Sequence, residues 1–272
     1  MKRWPEPTGE VVAFVTKHAK ERLVGDLVAR AGMTLMHIGE LDTDALGTFS
    51  RSRPRVGSAL DAARTKCRWA LTYAPRARFA LASEGSFGPH PAVPWVARGS
   101  ELVLLVDRQA SLELRGEDIT TETNFASTQA HTVEDARAFA LNHGFPSHGL
   151  LVGRHPGVTR LDALERLVRS ELLHGPVHLE TDMRASLNPT RQLSIRRAAE
   201  RCFEALARHC PRCGWPGFVV SSVERGLRCE ACATPTNAVA VEIFSCGVCG
   251  HRHHRPVDAP KAPAALCDAC NP

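Results

Sequence analysis

The chain has 272 residues, 43% of them hydrophobic, with 34 basic side chains against 29 acidic ones and a formal net charge of +5. That length can bury one ordinary core of roughly 150–200 residues plus a small appendage. No apolar run reaches about 18 residues and the first ten residues are polar with two prolines, so neither a membrane span nor a signal peptide is expected and the chain reads as cytoplasmic.

In chain order, Val11–Val15 is a β-branched run of strand type. Leu23, Val24, Leu27, Val28 and Ala31 then recur at helical spacing up to Gly32. Residues 33–38 return as a strand, and residues 48–57 form a Gly/Ser/Arg/Pro-rich connection. A second helix starts at Ser58 with Leu60, Ala63, Cys67, Ala70 and Leu71 on its stripe. Strands are predicted at 78–83, 101–107 and 111–115; the middle one is a continuous apolar run that implies burial on both faces. Helices over 133–142 and 160–174 each follow a Thr-x-x-Asp capping box, Thr132/Asp135 and Thr159/Asp162, with strands at 148–152 and 177–180. Asn188-Pro189-Thr190 opens a last helix, Asn as cap and Pro at the first helical position. The expected architecture is an α/β domain over residues 1–187, built on a mixed twisted sheet flanked by helices. A connecting helix follows at 188–209, and a double zinc-ribbon module at 210–272.

That module rests on four Cys-x-x-Cys pairs: Cys210/Cys213, Cys229/Cys232, Cys246/Cys249 and Cys267/Cys270. Two residues between thiolates let both sulfurs of one tight turn reach the same tetrahedral zinc, and a second such turn closes the site. Order along the chain favours consecutive pairing, first pair with second and third with fourth, over an interleaved one. Glycine follows Cys213 and Cys249, where a knuckle turns its amides toward sulfur, whereas Ala233 and Asn271 follow the other two pairs. Eight thiolates close both sites, so the zinc is structural, not catalytic. Each filled site carries a net charge of about −2, which brings +5 to about +1. Residues 201–272 hold eight Arg/Lys and six Asp/Glu, so this tail moves from +2 to about −2. Nucleic acid, which needs clustered cations, is thereby disfavoured as a partner. Trp215, Phe218 and Phe244 lie near the knuckles, either as a docking surface or as cover for the metal sites.

Chemistry in the longer domain has three candidate places. Thr16-Lys17-His18-Ala19-Lys20 leaves a strand and enters a helix, where free amides and lysines can hold phosphate; the alternative is an ordinary polar loop. Asp61 and Lys66 lie in the second helix, with Asp61 also placed to cap it three residues after Ser58. Glu84 is expected to end a strand before the glycine-rich turn Gly85-Ser86-Phe87-Gly88, a position suited to metal or to plain solvation.

These segments resemble the nucleoside triphosphate pyrophosphatases of the inosine triphosphatase and Maf type, which begin strand, Thr-x-Asn-x-x-Lys, helix, strand, and continue to a Glu-Asn-Ala-x-x-Lys helix. Thr16, His18 and Lys20 resemble the first motif, one residue short and with His for Asn. Asp61 to Lys66 resembles the second, with Asp for Glu and Ala for Asn, and Ala82-Ser83-Glu84-Gly85-Ser86 resembles the acidic turn that follows. Over residues 10–125 the resemblance implies a magnesium-dependent enzyme that cleaves a nucleoside triphosphate to monophosphate and pyrophosphate. Asp61 and Glu84 would hold the ion, Lys20 and Lys66 would balance the phosphates, and Thr16, His18 and Ser86 would line the substrate.

A second resemblance spans the whole chain. Residues 82–90, Thr121-Glu122-Thr123-Asn124-Phe125, Glu180-Thr181-Asp182-Met183-Arg184 and Asn188-Pro189-Thr190-Arg191, with paired Cys-x-x-Cys motifs behind, look like a bacterial family of unknown function. Arg184 and Arg191 become candidates for fork-like phosphate contacts if they face the cleft of Glu84; capping and domain-joining ion pairs are the alternative. The competing functional class is a non-enzymatic zinc-binding adaptor whose ribbons dock a protein or nucleic-acid partner.

Overall fold

The computed structural model describes residues 4–17, 19–39, 41 and 57–272, so the predicted connection at 48–57 lies outside it except for Gly57. The chain divides into a unit Pro7–Phe203 and a second unit formed by Glu204–Pro272 with the N-terminal stretch that ends at Glu6.

In the larger unit, β1 (Val11–Val15), α1 (Glu21–Arg30), β2 (Thr34–Ile38), α2 (Ala59–Tyr73), β3 (Phe79–Pro89), β4 (Ala97–Asp107) and β5 (Leu112–Thr120) build a five-stranded mixed sheet of order β2-β1-β3-β4-β5. β1 runs parallel to β2 and β3, while β3, β4 and β5 are antiparallel neighbours. The small residues Ala63, Cys67 and Ala70 let α2 lie close on one face, over Ala13, Ala80, Ala82, Leu102 and Leu104. Burial pushes the Cys67 thiol well above its ordinary range, as suits core filler.

A second sheet follows. β6 (Ser127–Ala130), α3 (Val133–Asn142), β7 (Leu150–Val152), β8 (His155–Val158), α4 (Leu161–Glu171) and β9 (Val177–Thr181) give the antiparallel order β6-β9-β7-β8. Its own core packs Ala136 and Ala140 of α3 and Leu164 and Val168 of α4 on Leu150, Val152, Val177 and Leu179. The single sheet expected over residues 1–187 is therefore two sheets. Strand periodicity fixes which side chains face a core, not which strand is a neighbour, and β6 pairs with the distant β9. The capping box at Thr132/Asp135 forms, whereas the one at Thr159/Asp162 does not. α4 begins one residue later with Arg160 as its cap residue, and Arg160 and Arg166 take the Asp162 carboxylate at 3.0 and 3.2 Å.

α5 (Pro189–Ala207) is more than a connection. Asn188 caps it, accepting from the Arg191 amide at 2.9 Å. Ser194, Arg197 and Arg201 all reach the buried Asp118 of β5, at 2.7, 3.0 and 2.7 Å. Gly116 of β5 lets the helix backbone approach, since a Cβ there would run into the Ala198 carbonyl and the Cys202 amide. The β4–β5 register sets Glu101, Val103 and Leu105 opposite Asp118, Gly116 and Leu114, on the side of α5; Leu102 and Leu104 take the side of α2.

In the smaller unit, β10 (Val219–Arg225), β11 (Val239–Ser245) and β12 (Arg252–Pro256) form a three-stranded antiparallel sheet in that order. No helix among the described residues is long and apolar enough to cross a membrane.

Candidate functional site

The eight knuckle cysteines form two groups whose sulfurs lie within 4.8 Å of one another: Cys210, Cys213, Cys246, Cys249, and Cys229, Cys232, Cys267, Cys270. Pairing is thus interleaved, and the consecutive pairing expected from chain order is corrected. The β10–β11 hairpin explains it. Val219 sits opposite Ser245, so the chain leaving the first knuckle meets the chain entering the third. The second knuckle is sent to the hairpin's other end, where the bridge from Cys229 to Ala262 brings in the fourth.

Cross-knuckle sulfur distances are 3.7 and 3.6 Å in the first group and 3.9 and 3.6 Å in the second. Four sulfurs about 2.3 Å from a tetrahedral ion are about 3.8 Å apart, so both groups fit such an ion, and no cysteine is in a disulfide. Gly214 and Gly250 take positive φ (+74° and +70°) in their knuckles, and Ala233 is forced to +61° in the same role. Phe218 and Phe244 pack with Cys210 and Cys246, and His251 stacks on Phe218 at 5.6 Å, so the two phenylalanines cover the first cluster.

A second concentration of charge lies in the larger unit. β1 pairs with β3 from Val12 opposite Phe79 to Phe14 opposite Leu81, and β3 continues beyond that point. The chain turning from β1 to α1 passes Ala19 at φ +54° and sets Lys20 against Ser83 of that stretch. Lys20, 6% exposed, donates to Ser83 Oγ at 3.0 Å and to the Ser83 carbonyl at 3.4 Å. The next residue, Glu84, faces α2 and pairs with Lys66. Gly85 stands opposite Glu101, whose carboxylate faces α5 and accepts from Arg191 Nε at 2.5 Å; both side chains are fully buried. Arg191 also donates to the Met183 carbonyl and lies 5.3 Å from the centre of the Phe87 ring. Gly85 has no room for a side chain: a Cβ there would meet Glu101 and lie 2.7 Å from Arg191 Nη2.

Among the described residues, five elements therefore deliver Lys20, Lys66 and Arg191 together with Glu84 and Glu101, three cations and two carboxylates. Burial first, then the charges of Arg191 and Lys66, lower the pKa of Lys20 to about 7, against the opposing pull of Glu101 and Glu84. The cluster lies past the carboxyl end of β1, beside β3. There the chain's connections leave β1 for β2 on one side and later return to β3 on the other, the usual crevice of an open α/β sheet.

Residues 66–272 match the family described as a domain of unknown function (DUF6671). The chain belongs to that family. Among curated proteins nothing matches it. The DUF6671 match takes in both cysteine clusters and Lys66, Glu84, Glu101 and Arg191, and begins after β1 and Lys20.

Of the site residues expected from the sequence of this DUF6671 chain, Lys20, Lys66, Glu84 and Arg191 come together. Thr16 is buried beside them in sequence, with His37 Nε2 2.8 Å from its carbonyl oxygen. Ser86 is exposed two residues along β3 from Glu84, and His18 lies outside the described residues. Glu84 does not end a strand before a glycine turn. β3 runs straight through to Pro89 because β4 pairs with it along its whole length. Asp61 accepts from the Ser58 amide and hydroxyl at 3.0 and 2.6 Å, and those bonds hold its pKa below the ordinary carboxylate value. Arg184 forks onto Asp182, with Nε 3.0 Å from Oδ1 and Nη2 2.5 Å from Oδ2, and Asp182 also takes the Gly157 amide. Among the described residues only the cysteine groups gather three or more metal-ligating side chains. With Asp61 taken by Ser58 and Glu84 by Lys66, these two carboxylates do not fit a protein-held magnesium ion.

Sequence reasoning missed Glu101, Gly85 as a close approach, and Ser83 as a lysine partner. A charge heading the apolar run of β4 was the available signal for Glu101.

Proposed function

We propose that the larger unit binds the phosphate groups of a nucleotide beside the carboxyl ends of β1 and β3, and hydrolyses the phosphate chain in the manner of a pyrophosphohydrolase. The observation that carries this reading is the convergence, among the described residues, of Lys20, Lys66 and Arg191 with the two carboxylates Glu84 and Glu101 at that edge. A buried set with one surplus cation favours an anion, and arginine and lysine are the residues suited to phosphate oxygens. The resemblance of residues 10–125 to inosine triphosphatase and Maf-type enzymes supports a nucleoside triphosphate as the phosphate donor. Lys66 turning to a phosphate oxygen would release Glu84 to accept a hydrogen bond from the attacking water. The cysteine clusters are assigned structural zinc, because four thiolates leave no open position.

Incubating the full-length, metal-loaded protein with magnesium and a panel of standard and deaminated triphosphates tests the reading. Pyrophosphate release that is lost in Glu84→Gln supports it; no turnover of any of them removes the hydrolase assignment.

A further inference from the structure

Resting on the phosphate-site reading, we infer that the ligand enters as an ionised phosphate group seated against Lys20 Nζ, and that its binding carries about one proton into the site. Each carboxylate of the cluster already has a cation of its own, Glu84 with Lys66 and Glu101 with Arg191. Lys20 alone is held by neutral oxygens, the hydroxyl and carbonyl of Ser83. Among the described residues the groups that face it are Ser83 and Glu84 from β3, Glu101 from β4, Lys66 from α2 and Arg191 from α5.

An ammonium buried on neutral partners is costly, and the charges of Arg191 and Lys66 add to that cost against the opposing pull of Glu101 and Glu84. It therefore holds its proton loosely, with a pKa of about 7. An anion placed against Nζ reverses the balance, because the opposite charge favours the protonated amine. The ligand class follows. A neutral sugar, base or amide supplies no charge to draw the proton in, whereas a phosphate group ionised at neutral pH does.

Linkage turns this into a measurable slope. Above about pH 7 the protonated fraction of the free site falls about tenfold per pH unit, so phosphate affinity falls with it. Inorganic pyrophosphate is the probe, titrated calorimetrically into the full-length, metal-loaded protein at pH 8 in two buffers of different ionisation heat. Uptake approaching one proton per ligand is expected, with affinity falling about tenfold per pH unit between about pH 7.5 and 8.5, where the charge of the probe itself is nearly constant. Lys20→Arg, whose guanidinium stays charged, should bind without uptake and with a flat profile. Should the larger head disturb folding, Lys20→Met serves in its place, binding more weakly and without pH dependence over the same range.

A flat wild-type profile, or the same uptake in wild type and variant, overturns the inference while leaving phosphate binding in place. Binding with proton uptake but no pyrophosphate release from triphosphates overturns the hydrolase assignment alone. Failure of any phosphate compound to bind overturns both.

Discussion

The cysteine clusters and the lysine–arginine cluster both gather ionisable side chains, but in opposite ways. In the smaller unit eight identical groups arrive from four short turns and close two tetrahedra. In the larger unit five groups of mixed sign arrive from the β1–α1 turn, α2, β3, β4 and α5. One arrangement is complete in itself once an ion is bound; the other holds, among the described residues, three cations and two carboxylates, with Lys20 on the neutral oxygens of Ser83. On the reading proposed above, the difference separates a site that holds a fold together from a site that takes up a ligand.

The largest effect should come from breaking the closed side of that comparison. Chelation at neutral pH is expected to unfold residues 204–272 while the transition of residues 7–203 persists, since zinc, the ion proposed for the cysteine groups, would contribute on the order of 10 kcal/mol per site. Metal counting in knuckle variants sharpens the pairing. Replacing the cysteines of the first and third knuckles together should leave one ion per chain, and replacing those of the first and second should leave none. Consecutive sites would give the reverse.

On the open side, Arg191→Met strands the fully buried Glu101 carboxylate. A loss of about 3–5 kcal/mol in the denaturant transition of residues 7–203 is expected, and a loss within experimental error would show the pair to be dispensable. A gentler probe is pH. Lys20 binds its proton less tightly folded, at about 7, than at its ordinary value of 10.5. Unfolding therefore takes up a proton between those values, so the ligand-free larger unit gains stability as pH rises through that window, by at most about 1.4 kcal/mol per pH unit. Lys20→Met should remove that part of the slope, as read from unfolding at a series of pH values. Smallest is Ala233→Gly, which relieves a left-handed alanine and should stabilise the smaller unit by about 1 kcal/mol.

Local chemistry was legible in the sequence. Strand Val11–Val15, the capping boxes at Ser58/Asp61 and Thr132/Asp135, and the four knuckles are each set by residues a few positions apart. What escaped is non-local. The knuckle pairing depends on where the β10–β11 hairpin ends, and the second sheet depends on β6 finding β9. The Glu101–Arg191 pair spans 90 positions and two elements, so no spacing rule could reveal it. Glu84 was singled out from its neighbours, yet its partner, Lys66, and its place inside a long strand came from β4.

The central claim is that Lys20 is the open cluster's contact to phosphate. It is tested most directly by titrating a non-hydrolysable nucleoside triphosphate into wild type and Lys20→Met, both metal-loaded, at pH 7. Loss of a charge-assisted contact predicts binding weaker by about tenfold to a hundredfold in the variant, with metal content and fold unchanged. Equal affinity in the two proteins would contradict it.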